Sequence, residues 1–284
     1  MAKQRSNLAT SFYGLLYWPS KLLLSIPLLI PAYFSTYTLS YGDIFDFGAG
    51  NQPTSLEASN GVEIRQQEKI YIARGDVLLK KGTTQIRSAQ LIAHYREKEQ
   101  GGVDIWKIEA DGQVVIAGTD YQINSAQAVF NLDQGIFTLE GSLLTIELNK
   151  KILTAKEKIV YSRHNQQLIA TGAAKINDPD SQLLVTADQL ILHLIDSNNG
   201  KTVLEQIRAE GNVHIQQRKL RGFSDRMTYH DSSNIANLQG NVRLSDGSNQ
   251  ILGEIAKINT KTQSIVITNS THTTAPVLVL LSPD

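Results

Sequence analysis

Between Ile207 and Ile215 the chain reads IRAEGNVHI, and apolar and polar positions alternate without a break on both sides of a glycine. Ile207, Ala209, Val213 and Ile215 fall on one face; Arg208, Glu210, Asn212 and His214 fall on the other. A period of two is that of a strand, so this segment predicts a half-buried β-strand with Gly211 on its apolar face. The figure returns around Gly75 (YIARGDVLL), Gly112 (IEADGQVVI), Gly141 (FTLEGSLLT), Gly172 (LIATGAAKI) and Gly240 (ANLQGNVRL).

A second strand follows each glycine at a nearly fixed distance. A small residue comes 13 positions on at Ser88, Ser125, Thr154, Ser224 and Gly253, and 14 on at Thr186, each opening a short run such as SAQLIAHY or FSDRMTYH. From that run to the next glycine the interval varies from 16 to 25 residues. The pattern is a degenerate array of antiparallel strand pairs, and a pair with one apolar face buries it only against its neighbours. Six or seven units predict a long, twisted double sheet with a continuous apolar interior. The glycines are expected to bend each strand or admit the facing sheet. The large side chains of inward parity are Tyr71, Leu79, Ile108, Ile116, Phe130, Phe137, Leu192, Ile207, Val213, Ile215, Met227 and Tyr229. Periodicity leaves open whether they fill a core or line a groove.

Residues 1–42 stand outside this pattern. Lys3, Arg5 and Lys21 precede an uncharged run from Leu22 to Gly42, which predicts either a secretory signal peptide or a membrane anchor. The run is long enough to span a bilayer, although Pro27 and Pro31 interrupt it. Thr38 and Ser40 offer a poor cleavage site, and either reading exports the rest of the chain. Residues 43–55 (DIFDFGAGNQPTS) read as a linker, and 56–284 as the β region, with an apolar tail, PVLVLLSPD, as a last edge strand.

Charge and candidate chemistry narrow the function classes. In 284 residues, 27 basic and 27 acidic side chains give zero net charge, which argues against binding nucleic acid by phosphate neutralisation. Cysteine is absent, so no disulfide or thiolate site exists. His94, His164, His193, His214, His230 and His272 are scattered without a metal-ligand spacing. Asp188, Asp225 and Glu254 recur after the small residues and form a candidate carboxylate row. No nucleophile elbow or phosphate loop is present, so no catalytic residue, metal or cofactor is expected.

Read together, ARGDVLLKKGTTQIRSAQLIAHYRE, IWKIEADGQVVI, AEGNVHI and LQGNVRLSDGSNQILGEIAKINTKT resemble the lipopolysaccharide-transport protein A, or OstA-like, family over about Leu56 to Ile267. The resemblance implies an all-β fold, an elongated β-jellyroll of stacked antiparallel strand pairs behind the N-terminal hydrophobic segment, and turns the interior into an apolar groove. It implies a non-enzymatic periplasmic protein that carries the acyl chains of lipid A and joins other jellyroll subunits in a bridge between membranes. The twelve inward side chains would then line the groove, with sugars and phosphates near Arg65, Lys69, Lys80, Lys81, Arg87 and Arg96. Open edges near Leu56 and Val277 suit head-to-tail association, with itself or with partners. The sequence departs from the family in its length and in lacking a clean cleavage site. The missing cleavage site raises the inner-membrane-anchored lipopolysaccharide-transport protein C as an alternative, and a purely structural exported β-solenoid with a closed interior is the competing reading.

Overall fold

A computed structural model describes residues 54–99, 101–148, 150–196, 202–247, 249–262, 264–269 and 276–280. The expected signal or anchor, and the linker as far as residue 53, lie outside them. The described residues form an antiparallel meander of 18 strands and contain no helix. Two short strands open it, β1 (Thr54–Glu57) and β2 (Val62–Arg65), so the last two linker residues already belong to a strand. Four long strands follow: β3 (Ile70–Lys81), β4 (Thr84–Glu97), β5 (Val103–Ala117) and β6 (Tyr121–Asn131). The middle is built from shorter pieces, β7 (Ile136–Glu140), β8 (Leu144–Leu148), β9 (Lys151–Ala155) and β10 (Lys158–Ser162). Long strands resume with β11 (Gln167–Asp178), β12 (Leu183–Asp196), β13 (Thr202–Gln217), β14 (Leu220–His230), β15 (Ile235–Ser245) and β16 (Gln250–Asn259). The chain closes on β17 (Ser264–Thr268) and β18 (Leu278–Leu280).

The long strands bend where their pairing register shifts, and in β3, β6, β11 and β16 the two halves take different neighbours. The first half of β3 pairs with β2 and the second with β1. β6 pairs through Gln127–Asn131 with β7 and through Tyr121–Asn124 with β8. β11 divides likewise between β10 and β9, and β16 between β17 and β18. The strand halves therefore assemble into two sheet layers that share a corner. One layer runs from β2 through β7 and β10 to β17; the other runs from β1 through β8 and β9 to β18. Among the described residues these four end strands are the open edges.

The corner is made by two consecutive residues in the left-handed region. Gly211 has φ 75° and Asn212 φ 46°, and the pairing of β13 with β14 skips from Glu210 to Val213. Because the inserted step is two residues long, inward parity survives it, and Ala209 and Val213 are both buried. Gly75–Asp76, Gly112–Gln113, Gly172–Ala173 and Gly240–Asn241 repeat the conformation. The sequence assigns the bend to the glycine alone; the structure adds the residue after it.

A lateral close approach supplies a second reason for glycine. An added Cβ on Gly112 would lie 2.7 Å from the Ala89 Cβ, and one on Gly211 would lie 2.3 Å from an Asp188 oxygen. The small residues opposite are Ser88, Ser125 and Ser224, all buried, as the spacing predicts. The last rung has the half-buried Gly253, and in the other two the count is one residue off. Ala155 and Ala187 point inward there, while Thr154 and Thr186 are only half-buried.

The two largest fully buried side chains, Phe130 and Phe137, lie in the middle of the meander. The Phe130 and Phe137 rings meet edge-on with centroids 5.5 Å apart, and Phe137 stacks on Tyr161 at 6.0 Å. All three are buried in one apolar cluster that draws on both layers. Full burial of side chains this size stabilises the fold by roughly 1.5–3 kcal/mol each.

Candidate functional site

Away from the corner, each layer ends in a row of hairpin turns, and the two rows form the lips of a cleft. Toward the C-terminal strands this cleft is hollow. A cavity of about 330 Å³ lies between the layers, at the small end of the ~300–1,000 Å³ usual for ligand pockets. Its apolar wall comprises Ile176, Leu183, Val185, Ile215 and Leu220 from one layer and Leu204, Ile207, Met227, Ala236 and Ile258 from the other. Lys151, Asp178, Ser181, Gln217, Tyr229, Asp231, Asn234 and Thr260 form a polar rim.

Side-chain size explains why the hollow lies at this end. Four residues before each corner glycine, the inward series reads Tyr71, Ile108, Phe137, Leu168 and Ile207, and then drops to Ala236. Two residues before the inward corner residue of the opposite layer it reads Ile86, Ile123, Leu153 and Val185, and then drops to Gly222. Both layers lose a long side chain at the same end of the meander. Leu244 leans over part of the vacated space, its Cδ2 3.0 Å from where a Gly222 Cβ would be.

Of the twelve sequence-predicted lining residues, ten are buried, and Tyr71 and Tyr229 are half-buried. Ile207, Ile215, Met227 and Tyr229 line the cavity. The others do not meet it; Phe130 and Phe137 fill the interior against one another. Ile176, Val185, Leu220 and Ile258 share the inward parity and were legible by the same rule. The polar rim was not, since turn residues carry no period.

At the rim, Lys151 forms an ion pair with Asp178. Burial by itself would raise the Asp178 carboxyl, but the hydrogen bonds from Lys151 and Ser181 outweigh it and hold the group below the usual range. Tyr229, on the opposite lip, donates its hydroxyl to Asp231 Oδ1 at 3.4 Å. Burial, then the Asp231 charge, pushes that phenol above its ordinary value. The rim thus joins an ion pair on one lip to a phenol–carboxylate contact on the other.

The remaining candidate chemistry has structural partners. Asp188 and Asp225 sit against the glycines of the next strand and accept hydrogen bonds from Asn212 and Asn241, at 2.9 Å each. At Glu254 it is the backbone N–H that bonds, to Asn269 Oδ1 at 3.2 Å. His94 contacts Glu109 at 2.7 Å, and His193 and His230 pair with Gln167 and Gln206 at 3.2 Å. Among the described residues no group of three histidine or carboxylate side chains gathers to hold a metal. The expected headgroup cations lie between β2 and β4, far along the meander from the cavity-lining strands. Arg65 pairs with Glu63 and Glu68, Lys69 with Glu97, Lys80 with Glu57, and Arg96 with Asp104 and Asp133.

The family model described as LptA/(LptD N-terminal domain) LPS transport protein matches residues 57–196 and again 158–264. The chain belongs to this family. Its two matches overlap at 158–196 and together run from the last residue of β1 to the first of β17 along a single continuous meander. The first holds the filled interior and the second most of the hollow. Among solved structures, the chain is similar to LptH, the LptA-homologous periplasmic component of the lipopolysaccharide transport device from Pseudomonas aeruginosa. That alignment covers 82% of this chain and 96% of LptH at 11% identity, with a TM-score of 0.21. No curated protein sequence matches the chain. Family membership places the role of this protein in lipopolysaccharide transport.

Proposed function

We propose that the protein binds the acyl chains of lipopolysaccharide between its two layers and hands them along a periplasmic bridge without catalysis. The observation that supports this most directly is the cavity between Ile176, Ile215, Ala236 and Ile258, apolar within and polar at its rim. Each methylene moved from water into such a space gains about 0.8 kcal/mol, which a transport protein recovers at every step if the next site is equally apolar. The open edges β1 and β2 at one end and β17 and β18 at the other supply unpaired backbone for jellyroll partners or for a second copy of the chain. Passage through the centre requires the buried side chains around Phe130 and Phe137 to part from the facing layer, so acyl chains occupy the hollow end first.

A photo-crosslinking residue at Ile215, whose side chain faces the cavity, will label lipopolysaccharide in cells. One at His214, which is exposed on the outer face, will not. Equal labelling at both positions, or labelling at His214 alone, refutes acyl-chain binding between the layers.

The uncharged run Leu22–Gly42 supports a second reading, an inner-membrane-anchored subunit of the same transport system. N-terminal sequencing of the protein recovered from cells separates the two. A start near Tyr41 makes it a soluble subunit, and retention of Lys3 makes it an anchored one.

A further inference from the structure

One lip of the cavity carries basic turns at β8–β9 and β13–β14, with Asp178 and Asp180 at the β11–β12 turn between them. The chain turns from β8 into β9 at Lys150, and from β13 into β14 at Arg218 and Lys219. Gln217 and Leu220, on either side of the second turn, line the cavity, as does Lys151 beside the first. Lys151 is engaged by Asp178. Lys150, Arg218 and Lys219 are exposed and, among the described residues, form no ion pair. Pairing runs β8–β9–β11–β12–β13–β14, so the centres of the two basic turns stand four strand spacings apart, roughly 19 Å. The cavity-lining residues of the opposite lip include Asp231 and no cation.

An apolar cavity whose lip carries, among the described residues, three unneutralised cations against one unpaired carboxylate, Asp180, complements an amphiphile with an apolar tail and an anionic head. Arginine adds a planar fork of donors that matches phosphate geometry, which a lone lysine does not. We infer that Arg218 and Lys219, assisted by Lys150 on the other basic turn, take the phosphate of a lipid headgroup whose acyl chain fills the cavity beneath them. This rests on acyl-chain binding between the layers, and it moves headgroup recognition from the ion-paired cations of β2–β4 to the opposite half of the molecule.

Calorimetric titration of the full chain with dodecyl phosphate, dodecanol and inorganic phosphate tests it. Dodecyl phosphate will bind at least about 10-fold more tightly than dodecanol, the effect of one charge-assisted contact of about 1.4 kcal/mol. The gap will collapse in R218E/K219E and in the milder R218Q/K219Q, and will persist in R243E on the outer face. Circular dichroism will confirm that the turn variants keep their sheet. Equal binding of the two amphiphiles to the unaltered protein, or a gap that survives R218E/K219E, overturns the headgroup assignment while leaving acyl-chain binding intact. Failure of both amphiphiles to bind overturns both. Inorganic phosphate binding as tightly as dodecyl phosphate overturns the lipid as its source.

Discussion

Asn212 donates its side-chain N–H to Asp188 Oδ2 at 2.9 Å, and that same oxygen lies 2.3 Å from where a Cβ on Gly211 would stand. One hairpin further on, Asn241 donates to Asp225 at 2.9 Å beside Gly240. Two of the three residues of the carboxylate row, Asp188 and Asp225, are therefore corner fasteners. The glycine makes room for the carboxylate, and the asparagine, held in the left-handed conformation, satisfies it.

Replacing Gly211 with alanine will combine left-handed strain of about 1–2 kcal/mol with displacement of the Asp188 carboxylate. We expect a loss of roughly 2–3 kcal/mol in urea unfolding. D188A relieves the steric part alone, so the double variant will lose less than the sum of the two single losses. Strict additivity would show that the carboxylate does not occupy the space over the glycine.

Ser88 and Ser125 are buried, and among the described residues their hydroxyls find no partner, whereas Ser224 donates to the Arg226 carbonyl at 3.0 Å. An unsatisfied buried hydroxyl carries its desolvation cost uncompensated. S88A and S125A will be neutral or stabilising by up to about 1 kcal/mol, and S224A will cost about 0.5–1.5 kcal/mol. Denaturant midpoints for the three variants give the comparison; destabilisation by S88A equal to that of S224A would contradict it.

Ala128 and Ala236 are both inward and buried, but only Ala236 borders the cavity. Added methylenes at Ala128 must displace Leu139 and its neighbours, so A128L will cost about 1–3 kcal/mol. A236L has free volume to occupy, so it will cost less than about 1 kcal/mol and weaken dodecanol binding. A similar loss of stability in both variants would mean that the hollow end is as tightly packed as the centre.

The rim will respond to pH from both sides. Asp178 has a lowered native pKa, so the stability it lends is present above the ordinary aspartate value of about 3.9 and fades as pH falls through the lowered one. Tyr229 has a raised pKa, so its contribution is present below the ordinary tyrosine value of about 10 and fades as pH rises beyond it. Melting temperatures at pH 2–5 and 9–12 will show D178N flattening the acid limb and Y229F the alkaline one. Profiles that superimpose on the unaltered protein would refute the assignment.

Ile207, Ala209, Val213 and Ile215 were assigned to the interior from alternation, and all four are buried. A strand's facing is local: successive side chains point to opposite faces whatever lies across from them, and a two-residue corner keeps the count. For the same reason the bend was legible from glycine. The row of Asp188 and Asp225 was legible as a recurrence but not in its meaning, because the asparagines they bind lie 24 and 16 residues further along the chain.

The sequence by itself determined the strands, the bends, which side chains point inward, and the family. Whether those side chains meet across the gap was decided only by the tertiary structure. Phe130 and Phe137, neighbours on one layer, are fully buried in a cluster that draws on both layers, while Ala236 borders a hollow. Filling depends on the summed volume of residues that share no local period. The polar rim follows the same rule, since turns remote in sequence are gathered at one mouth only when the two layers fold about their common corner.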